Sequence, residues 1–374
     1  MFASMYATQA ILPELSRTFA VSPSTAGLSV SSVVLAIAVG AWVWGPLSDR
    51  IGRVAAMRLA SVLLVVPTLL VALAPTFEVL VVARCLQGLC MPGLLVVGAP
   101  YVVEALVPRL GARAMGWYVG ALVLGGLIGR VGVALATSVV GWRVACAALT
   151  ALPLAAVVAM RGLPDVPRPA RSAQPLLAVV SLRLVAVTVV GCALFFSFVG
   201  TFTYVTYRLE APPFRLPLET AGLVFLLWVV GITGPLIGRL AERRGWKPIA
   251  AGAVVLSTIG VLATTHDRLW AIVPALACVA VAMFVGYTAA QLAVGDVARA
   301  DRGAASAFYF SAYYLSGAIG GYLPGLAWER WGWTGIVACD LAALGIAGAA
   351  LVVLVRLGST PVDVVAPGPY ALGQ

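Results

Sequence analysis

Three charged side chains interrupt long apolar stretches of the sequence: Arg84, Arg130 and Asp340. A guanidinium deep in such a stretch costs about 2.5–3.5 kcal/mol to insert into a bilayer and normally faces protein or water. Gln87 follows Arg84 by one helical turn, so the two side chains can donate to one anionic group. We expect Arg84 and Gln87 to hold such a ligand group, or else Arg84 to be a structural hub that donates to backbone carbonyls or Gln87. For Arg130 we expect a structural role.

The sequence lacks the residue combinations that enzymes and metalloproteins use. Its only histidine, His266, lies between two apolar runs, and its six cysteines form no CxxC or Cys/His pattern. Paired carboxylates within an apolar run are missing, as is a GxxxxGK[ST] phosphate loop. We therefore expect no enzymatic activity, metal or cofactor. Asp340 is the one clear carboxylate within an apolar run, so proton binding has few candidates.

The composition determines the environment in which these side chains lie. Of the 374 residues, 62% are hydrophobic and 10% are charged, and the mean hydropathy is +1.04. Soluble domains carry roughly 25% charged residues, so a soluble enzyme, a nucleic-acid binder and a secreted scaffold are excluded. The net charge of +10 is spread over short loops, which is typical of loops that face the cytoplasm. The sequence predicts a multi-pass protein in a lipid bilayer without nucleic-acid partners.

Charged or Pro/Gly-rich breaks divide the chain into apolar runs long enough for transmembrane helices. We predict an all-α fold with two six-helix bundles, residues 1–161 and 184–356, a cytoplasmic linker over 162–183 and a cytoplasmic tail over 357–374. The predicted spans are 1–15, 26–47, 55–74, 78–103, 113–137, 142–161, 184–207, 220–238, 248–264, 269–294, 304–326 and 335–356.

Loop charges predict the orientation. Most cations lie on one side, including Arg50, Arg113 and Arg183, and few lie on the other, including Arg17 and Arg208. The first side is cytoplasmic by the positive-inside rule, which puts both termini inside the cell. On this topology Arg84 and Arg130 both lie about 9–10 Å from the outer boundary. The first span is too short to cross the bilayer, so we expect it to be truncated, with the native start upstream.

The two halves of the sequence contain the same short glycine-containing motifs, separated by about 190 residues. The motif Gly45-Pro46-Leu47 recurs as Gly234-Pro235-Leu236, 189 residues later. Gly141-Trp142 recurs as Gly332-Trp333, 191 residues later. Six predicted spans separate the copies, so the repeat is parallel, and two similar bundles are predicted to face each other about an axis along the membrane normal.

The segment Gly45-Pro46-Leu47-Ser48-Asp49-Arg50-Ile51-Gly52-Arg53 resembles the loop signature of the Major Facilitator Superfamily, and Arg84-Cys85-Leu86-Gln87-Gly88 resembles its Arg-x-x-Gln-Gly element. The resemblance implies that the loop latches the bundles in one access state. The implied gating residues are Gly45, Asp49, Arg50, Gly52, Arg53, Gly238 and Arg239. The alternative for Asp49 and Arg53 is ordinary loop charges that favour insertion. Glu104 is expected to pair with Arg113.

The family's fold implies that spans one, four, seven and ten line a cavity, while spans two, five, eight and eleven form the interface between bundles. The cavity candidates are Arg84, Gln87, Tyr6, Gln9, Tyr204, Tyr207, Tyr287, Gln291, Tyr309 and Tyr313. Each aromatic residue alone also fits helix packing.

Two segments, residues 125–130 and 204–209, resemble bacterial sugar-efflux and multidrug efflux permeases. The resemblance implies a monomeric secondary transporter in the bacterial inner membrane. It would export a drug, sugar or metabolite by alternating access coupled to protons, and Arg84 predicts that this small-molecule substrate is anionic. The alternative is a membrane sensor or assembly partner that binds a solute without moving it.

Overall fold

The computed structural model describes residues 1–110, 113–164, 166, 180–233, 240, 243–297 and 302–357. Over these residues the chain is 90% helical and has no strand. In lipid each backbone N–H and C=O must be hydrogen-bonded by the protein itself, and a helix does this within its own segment. The predicted all-α fold is therefore confirmed.

Helical segments of the first half are labelled α1–α6 after the predicted spans that they overlap. Their bounds are α1 (Phe2–Tyr6, Gln9–Ile11 and Leu12–Phe19), α2 (Pro23–Ile51), α3 (Arg53–Leu73), α4 (Phe77–Cys90, Pro92–Tyr101, Val102–Leu106 and Val107–Leu110), α5 (Arg113–Leu127, Ile128–Gly132 and the part of Val133–Ala148 before Gly141) and α6 (the remainder of Val133–Ala148, Ala151–Ala159 and Met160–Gly162).

The segments of the second half are labelled α7–α12 in the same way. Their bounds are α7 (Leu182–Glu210), α8 (Leu218–Gly222 and Leu223–Thr233), α9 (Trp246–Ala263), α10 (Leu269–Val297), α11 (Arg302–Trp331) and α12 (Trp333–Arg356). Among the described residues, 8 helices are long and apolar enough to cross a membrane, and one of them, Arg113–Gly162, contains two predicted spans. The number of twelve spans stays a prediction.

Large apolar side chains cover the outside of the helices. Val139 is 82% exposed, Leu73 65% and Val66 62%. A water-soluble surface does not carry so many exposed aliphatic side chains, whereas lipid tails solvate them. The distribution fits a protein whose exterior faces a bilayer.

The repeat predicted from the sequence is also present in the backbone. Glycines with positive φ precede α3 (Gly52), α6 (Gly141), α9 (Gly245) and α12 (Gly332). Gly141 and Gly332 are the repeated pair at the 191-residue offset. Gly245 follows Gly52 by 193 residues rather than 189, because the sequence from the Gly-Pro-Leu motif to this glycine is four residues longer in the second half. Residues with a Cβ rarely adopt this conformation, so the same sharp turn is encoded in both halves.

The two halves meet along two pairs of helices. Helix α2 packs against α4 within its own half and against α11 of the other half, and α5 packs against α8. Helix α7 packs against α10, α11 and α12. The helices that join the halves, α2 with α11 and α5 with α8, are the interface helices that the family resemblance implied. Most of the predicted linker, the tail after residue 357, and the gating residues Gly238 and Arg239 lie outside the described residues.

Replacing Gly332 with alanine is expected to lower the stability by roughly 1–3 kcal/mol, because a residue with a Cβ is strained in that backbone region. Gly332 has φ 58° and ψ −143°. A Cβ there would meet nothing within 4 Å, so the substitution tests backbone strain alone. Thermal unfolding of purified protein in detergent measures the effect.

The matched control is Gly345→Ala in α12, where an added Cβ also meets nothing within 4 Å and φ is helical. Alanine is the better helix former, so this variant should melt at or above the temperature of the parent. Equal losses in both variants would contradict the assignment of strain to Gly332.

Candidate functional site

Arg84 is fully buried between α1, α2 and α4, with 0% of its surface exposed. Its Nε donates to the Ser29 carbonyl at 2.7 Å, and its Nη1 donates to the Ser4 carbonyl at 2.5 Å and to Gln87 Oε1 at 2.8 Å. Its Nη2 donates to the Met5 carbonyl. Each nitrogen of this guanidinium therefore has an acceptor inside the first bundle.

In this geometry the protein alone provides the hydrogen-bond acceptors of Arg84. Buried polar groups must be hydrogen-bonded, and the carbonyls of α1 and α2 satisfy the guanidinium without a ligand. Gln87 is engaged as well, because its Nε2 donates to Thr68 Oγ1 at 3.1 Å. The arrangement favours the structural alternative for Arg84, and its contact with a substrate stays a prediction.

Arg130 is the second fully buried guanidinium, and it lies where the two bundles meet. Its Cζ is 3.6 Å from the ring centroids of both Tyr6 and Trp228, and 5.5 Å from that of Phe225. The rings of Tyr6 and Trp228 are 5.1 Å apart at 64°, so the guanidinium closes the open side of a wedge. We call Arg130, Tyr6, Gln9, Phe225 and Trp228 the Arg130 cage.

Hydrogen bonds connect the cage to the second bundle. Arg130 Nε donates to Gln9 Oε1 at 2.7 Å, and Gln9 Nε2 donates to Thr203 Oγ1 of α7 at 3.1 Å. Arg130 Nη1 makes only a long bond to the Gly126 carbonyl, at 3.3 Å. Gln9 thus links α5 of the first bundle to α7 of the second.

Two donors of the cage are buried without an acceptor. Arg130 Nη2 and Trp228 Nε1 have no hydrogen-bond partner among the described residues. The Tyr6 hydroxyl lies close enough to the Arg130 guanidinium for a side-chain hydrogen bond, although Nη2 itself meets the full hydrogen-bond geometry with no described residue. Ion pairs within the described part of the chain do not include Arg130. The cage therefore has an unneutralised charge and unused donors.

The sequence analysis missed Phe225, Trp228 and Thr203 as site residues. Trp228 lies in α8, one of the interface helices implied by the resemblance. Its three-residue spacing from Phe225 puts both rings on one helical face. An interface helix with two aromatic rings on one face, opposite a buried arginine, was the available signal. Tyr6 and Gln9 were predicted for the cavity, and the structure brings them together here.

Tyr204 and Tyr207 lie at the outer end, which we define as the end that carries Arg17, Arg143, Arg208 and Arg330. The Tyr207 hydroxyl donates to the Leu12 carbonyl at 3.0 Å and lies 2.5 Å from Ser16 Oγ, so it joins α7 to α1. The Tyr204 hydroxyl donates to the Gly321 carbonyl at 2.8 Å. Both tyrosines therefore serve helix contacts in this structure.

Further polar contacts join the bundles at this outer end. Arg17 Nη1 donates to Glu210 Oε2 at 2.8 Å, and the Ser24 backbone N–H donates to Glu329 Oε1 at 3.1 Å. Gly27 of α2 makes the approach possible, because a Cβ there would lie 2.4 Å from the Tyr204 hydroxyl and 2.5 Å from the Gly321 carbonyl. The bundles are closed against each other at the outer end.

The remaining predicted cavity residues lie in α10 and α11. Tyr313 contacts Tyr287 and Tyr309, each at a centroid distance of 5.6 Å, and its ring stacks on Phe195 at 3.9 Å. Gln291 Nε2 has no hydrogen-bond partner among the described residues. These tyrosines form an aromatic cluster within the second bundle, and their contact with a substrate stays a prediction.

The predicted gating segment lies at the opposite end, where it is helical rather than a loop: Gly45, Asp49 and Arg50 belong to the end of α2, Gly52 joins the helices and Arg53 begins α3. Arg53 forms a two-point ion pair with Glu104 of α4, at 2.5 and 2.6 Å, so the pairing of Glu104 with Arg113 was wrong. Asp49 has no ion pair with any described residue. Arg50 is exposed, Gly52 supplies the turn with positive φ, and an added Cβ at Gly45 would meet nothing within 4 Å.

Asp340 of α12 is fully buried and points at α7. Its Oδ2 accepts from the Thr201 hydroxyl at 2.6 Å, and its Oδ1 has no partner among the described residues. No cluster of three His, Cys, Asp or Glu side chains that could hold a metal occurs in the described part of the chain. The site that the geometry assembles is the Arg130 cage.

A polar site between two membrane-spanning helical bundles is the architecture of a transport protein. The model of the Major Facilitator Superfamily matches residues 1–321 and 213–369. The chain is 32% identical over 357 residues to the inner membrane transport protein YnfM of Escherichia coli, covering 92% of this chain and 85% of YnfM. It is 29% identical over 346 residues to the MFS-type transporter YybF of Bacillus subtilis, covering 90% and 86%.

A solved structure has the same fold. A bacterial homologue of the lysosomal transporter Spinster, crystallised in an inward-facing and occupied conformation, superposes with a TM-score of 0.79 at 15% identity, covering 95% of this chain and 94% of that one. This chain belongs to the Major Facilitator Superfamily. It is a multi-pass membrane transport protein for a small-molecule substrate.

Replacing Arg84 with lysine is expected to destabilise the protein by about 2 kcal/mol or more, because one ammonium cannot reach three carbonyls and Gln87, and each unsatisfied buried group costs about 1–3 kcal/mol. Arg58→Lys is the matched control, since Arg58 is only partly buried and donates to one carbonyl, that of Met160. Melting temperatures in detergent measure both. A loss no larger for Arg84→Lys than for Arg58→Lys would refute the structural hub.

Proposed function

We propose that the protein exports a small organic solute across the bacterial inner membrane by alternating access coupled to protons, acting as a monomer with both termini in the cytoplasm. One observation carries this proposal: an unneutralised guanidinium, Arg130, is buried between two bundles that are closed against each other at the outer end. Such a site exchanges its ligand when the bundles rock.

The distribution of contacts supports an inward-facing state. Among the described residues, polar contacts join the bundles at the outer end through Arg17, Ser16 and Ser24. Toward the opposite end, a Cβ added at Gly116 or Gly120 of α5 would meet nothing within 4 Å. In this state the substrate enters from the cytoplasm, as export requires.

The junction of α2 and α3 fits a latch that is open in this state. Arg53 is held by Glu104 inside the first bundle, while Asp49 has no ion-pair partner among the described residues. When the inner end closes, Asp49 pairs with a cation or helix terminus of the opposite bundle. This role deepens the one that the family resemblance implied for Asp49.

Asp340 is the group that we propose for proton binding. It is a fully buried carboxylate, and intramembrane carboxylates commonly serve in proton relays. Its partner Thr201 lies two residues before Thr203, which accepts from Gln9 of the cage. Helix α7 therefore connects the Asp340 carboxylate to the Arg130 cage, although Asp340 is not itself part of the cage.

The direction of transport and the membrane rest on resemblance. Segments 125–130 and 204–209 resemble efflux permeases, which supports export. The relative YnfM is an inner membrane transport protein, which supports the same membrane here.

Flux in proteoliposomes tests the function. Purified protein is reconstituted with a panel of organic anions, sugars and cationic drugs, and solute movement is followed with and without a pH gradient. We expect gradient-driven flux of at least one solute. Asp340→Asn should lose the response to the gradient and keep solute exchange, whereas the control Asp267→Asn, at an exposed outer-end carboxylate, should behave as the parent.

Saturable binding of a solute without any flux would contradict transport and favour the sensor alternative. Flux that ignores the pH gradient would contradict proton coupling and leave transport standing.

Two substitutions should shift the access equilibrium in opposite directions. Tyr207→Phe removes the hydroxyl contacts with Ser16 and Leu12, worth about 1 kcal/mol each, so the outward-open population should rise. Asp49→Asn weakens the proposed latch of the outward-open state, so that population should fall.

Spin labels at the exposed positions 78 and 266, one on each bundle at the outer end, report the populations by double electron–electron resonance in a background without native cysteines. Unchanged distance distributions in both variants would contradict the assigned gates. Arg215→Gln, an exposed charge at the same end, serves as the control.

A further inference from the structure

The Arg130 cage has the composition of an incomplete anion site. The guanidinium is fully buried, and no carboxylate of the described residues pairs with it. Its Nη2 and the Nε1 of Trp228 are two buried donors without acceptors. A buried charge is normally paired, and a buried donor is normally hydrogen-bonded. The missing partner is a group with one negative charge and at least two acceptor oxygens, as in a carboxylate.

The walls of the cage select a flat partner. Besides Tyr6, the Trp228 ring contacts Phe198 at a centroid distance of 5.1 Å and Phe284 at 5.7 Å. A planar body can extend this ring packing through stacked or edge-to-face contacts. A compact aliphatic body makes fewer such contacts.

Arg84 shows why the inference is specific to Arg130. Both guanidinia are fully buried, but each nitrogen of Arg84 already has a protein acceptor, and all of these acceptors belong to the first bundle. Arg130 is instead surrounded by residues of α1, α5 and α8, and Gln9 links it to α7. Of these two arginines, Arg130 is the one that combines unused hydrogen-bonding capacity with a position between the bundles.

We propose that the Arg130 cage binds the carboxylate of a planar organic acid, aromatic or conjugated, with Arg130 Nη2 and Trp228 Nε1 as the donors that complete the site. This inference rests on the proposed function, because it names the substrate class that the transporter moves. The carboxylate neutralises the guanidinium, and the planar body packs against Trp228 and Phe284. Neutral planar molecules leave the charge unpaired.

Binding to the purified protein in detergent tests the substrate class. The probes are benzoate and 2-naphthoate as planar anions, cyclohexanecarboxylate as a non-planar anion, benzamide as a planar neutral compound, and acetate and chloride as small anions. Melting temperature and intrinsic tryptophan fluorescence are measured. We expect the planar anions to raise the melting temperature and change the fluorescence at the lowest concentrations, and benzamide to do neither.

Substitutions in the cage assign the binding to it. Arg130→Lys keeps the charge and loses the planar fork, so affinity for the planar anions should fall about 10–100-fold. Trp228→Phe keeps a ring and removes one donor, so affinity should fall about 3–10-fold without threatening the fold. The matched controls are Arg143→Lys and Trp142→Phe, since Arg143 lies over the Trp142 ring at 4.3 Å near the outer end. Their affinities should match the parent.

The outcomes separate this inference from the proposed function. Equal binding of benzamide and benzoate, equal binding of acetate and benzoate, no response to either planar anion at 10 mM, or unchanged affinity in both cage variants would each overturn the cage assignment. Cage-dependent binding of planar anions without flux in proteoliposomes would support the assignment and overturn transport. Flux of other solutes, without binding of planar anions, would overturn the assignment and support transport.

Discussion

Two arginines are fully buried in this protein, Arg84 and Arg130, and the packing around them depends on how the protein itself provides their hydrogen-bond partners. Hydrocarbon offers no hydrogen bonds, so each arginine must find its acceptors within the protein. Arg84 finds them on the backbones of α1 and α2, and thereby holds these two helices together. Arg130 has one amide oxygen, one backbone carbonyl at 3.3 Å and two aromatic faces, which leaves Nη2 without an acceptor among the described residues. Arg84 therefore stabilises the first bundle, whereas Arg130 still lacks an acceptor for Nη2 and a negative charge to pair with among the described residues.

Close approach of backbones determines where the bundles can touch. A Cβ at Gly129 of α5 would lie 2.1 Å from the Ala3 carbonyl, and one at Gly325 of α11 would lie 2.1 Å from the Tyr204 hydroxyl. Helices in lipid associate through such small residues because no hydrophobic force drives them together. The glycines bring α1 against the segment that carries Arg130, and α11 against the outer part of α2. The position of the site and the closure of the outer end therefore share one physical cause.

The lengths of the apolar runs and the glycines between them made much of the fold predictable. Each predicted span overlaps a helical segment, and the repeated Gly141 and Gly332 adopt positive φ in both halves. The site was harder to predict from the sequence, because contacts between distant segments decide which buried charge has hydrogen-bond partners. Arg84 and Arg130 lie at similar predicted depth in similar apolar surroundings, and only the tertiary structure shows that Arg84 lacks free donors. The same reason explains why Glu104 pairs with Arg53 rather than Arg113.

The location of unsatisfied groups also limits which site can drive a conformational change. A ligand shifts an equilibrium between two states only by its difference in affinity for them. The partners of Arg84 all belong to the first bundle, so rocking of the bundles would leave their geometry unchanged. A ligand at Arg84 would therefore bind both states with nearly the same affinity. The Arg130 cage takes Tyr6 and Gln9 from the first bundle and Phe225 and Trp228 from the second. In the alternating-access cycle that we propose, rocking the bundles would separate these residues. A ligand that completes the cage would then bind the two access states with different affinities, which is the coupling that such a cycle requires.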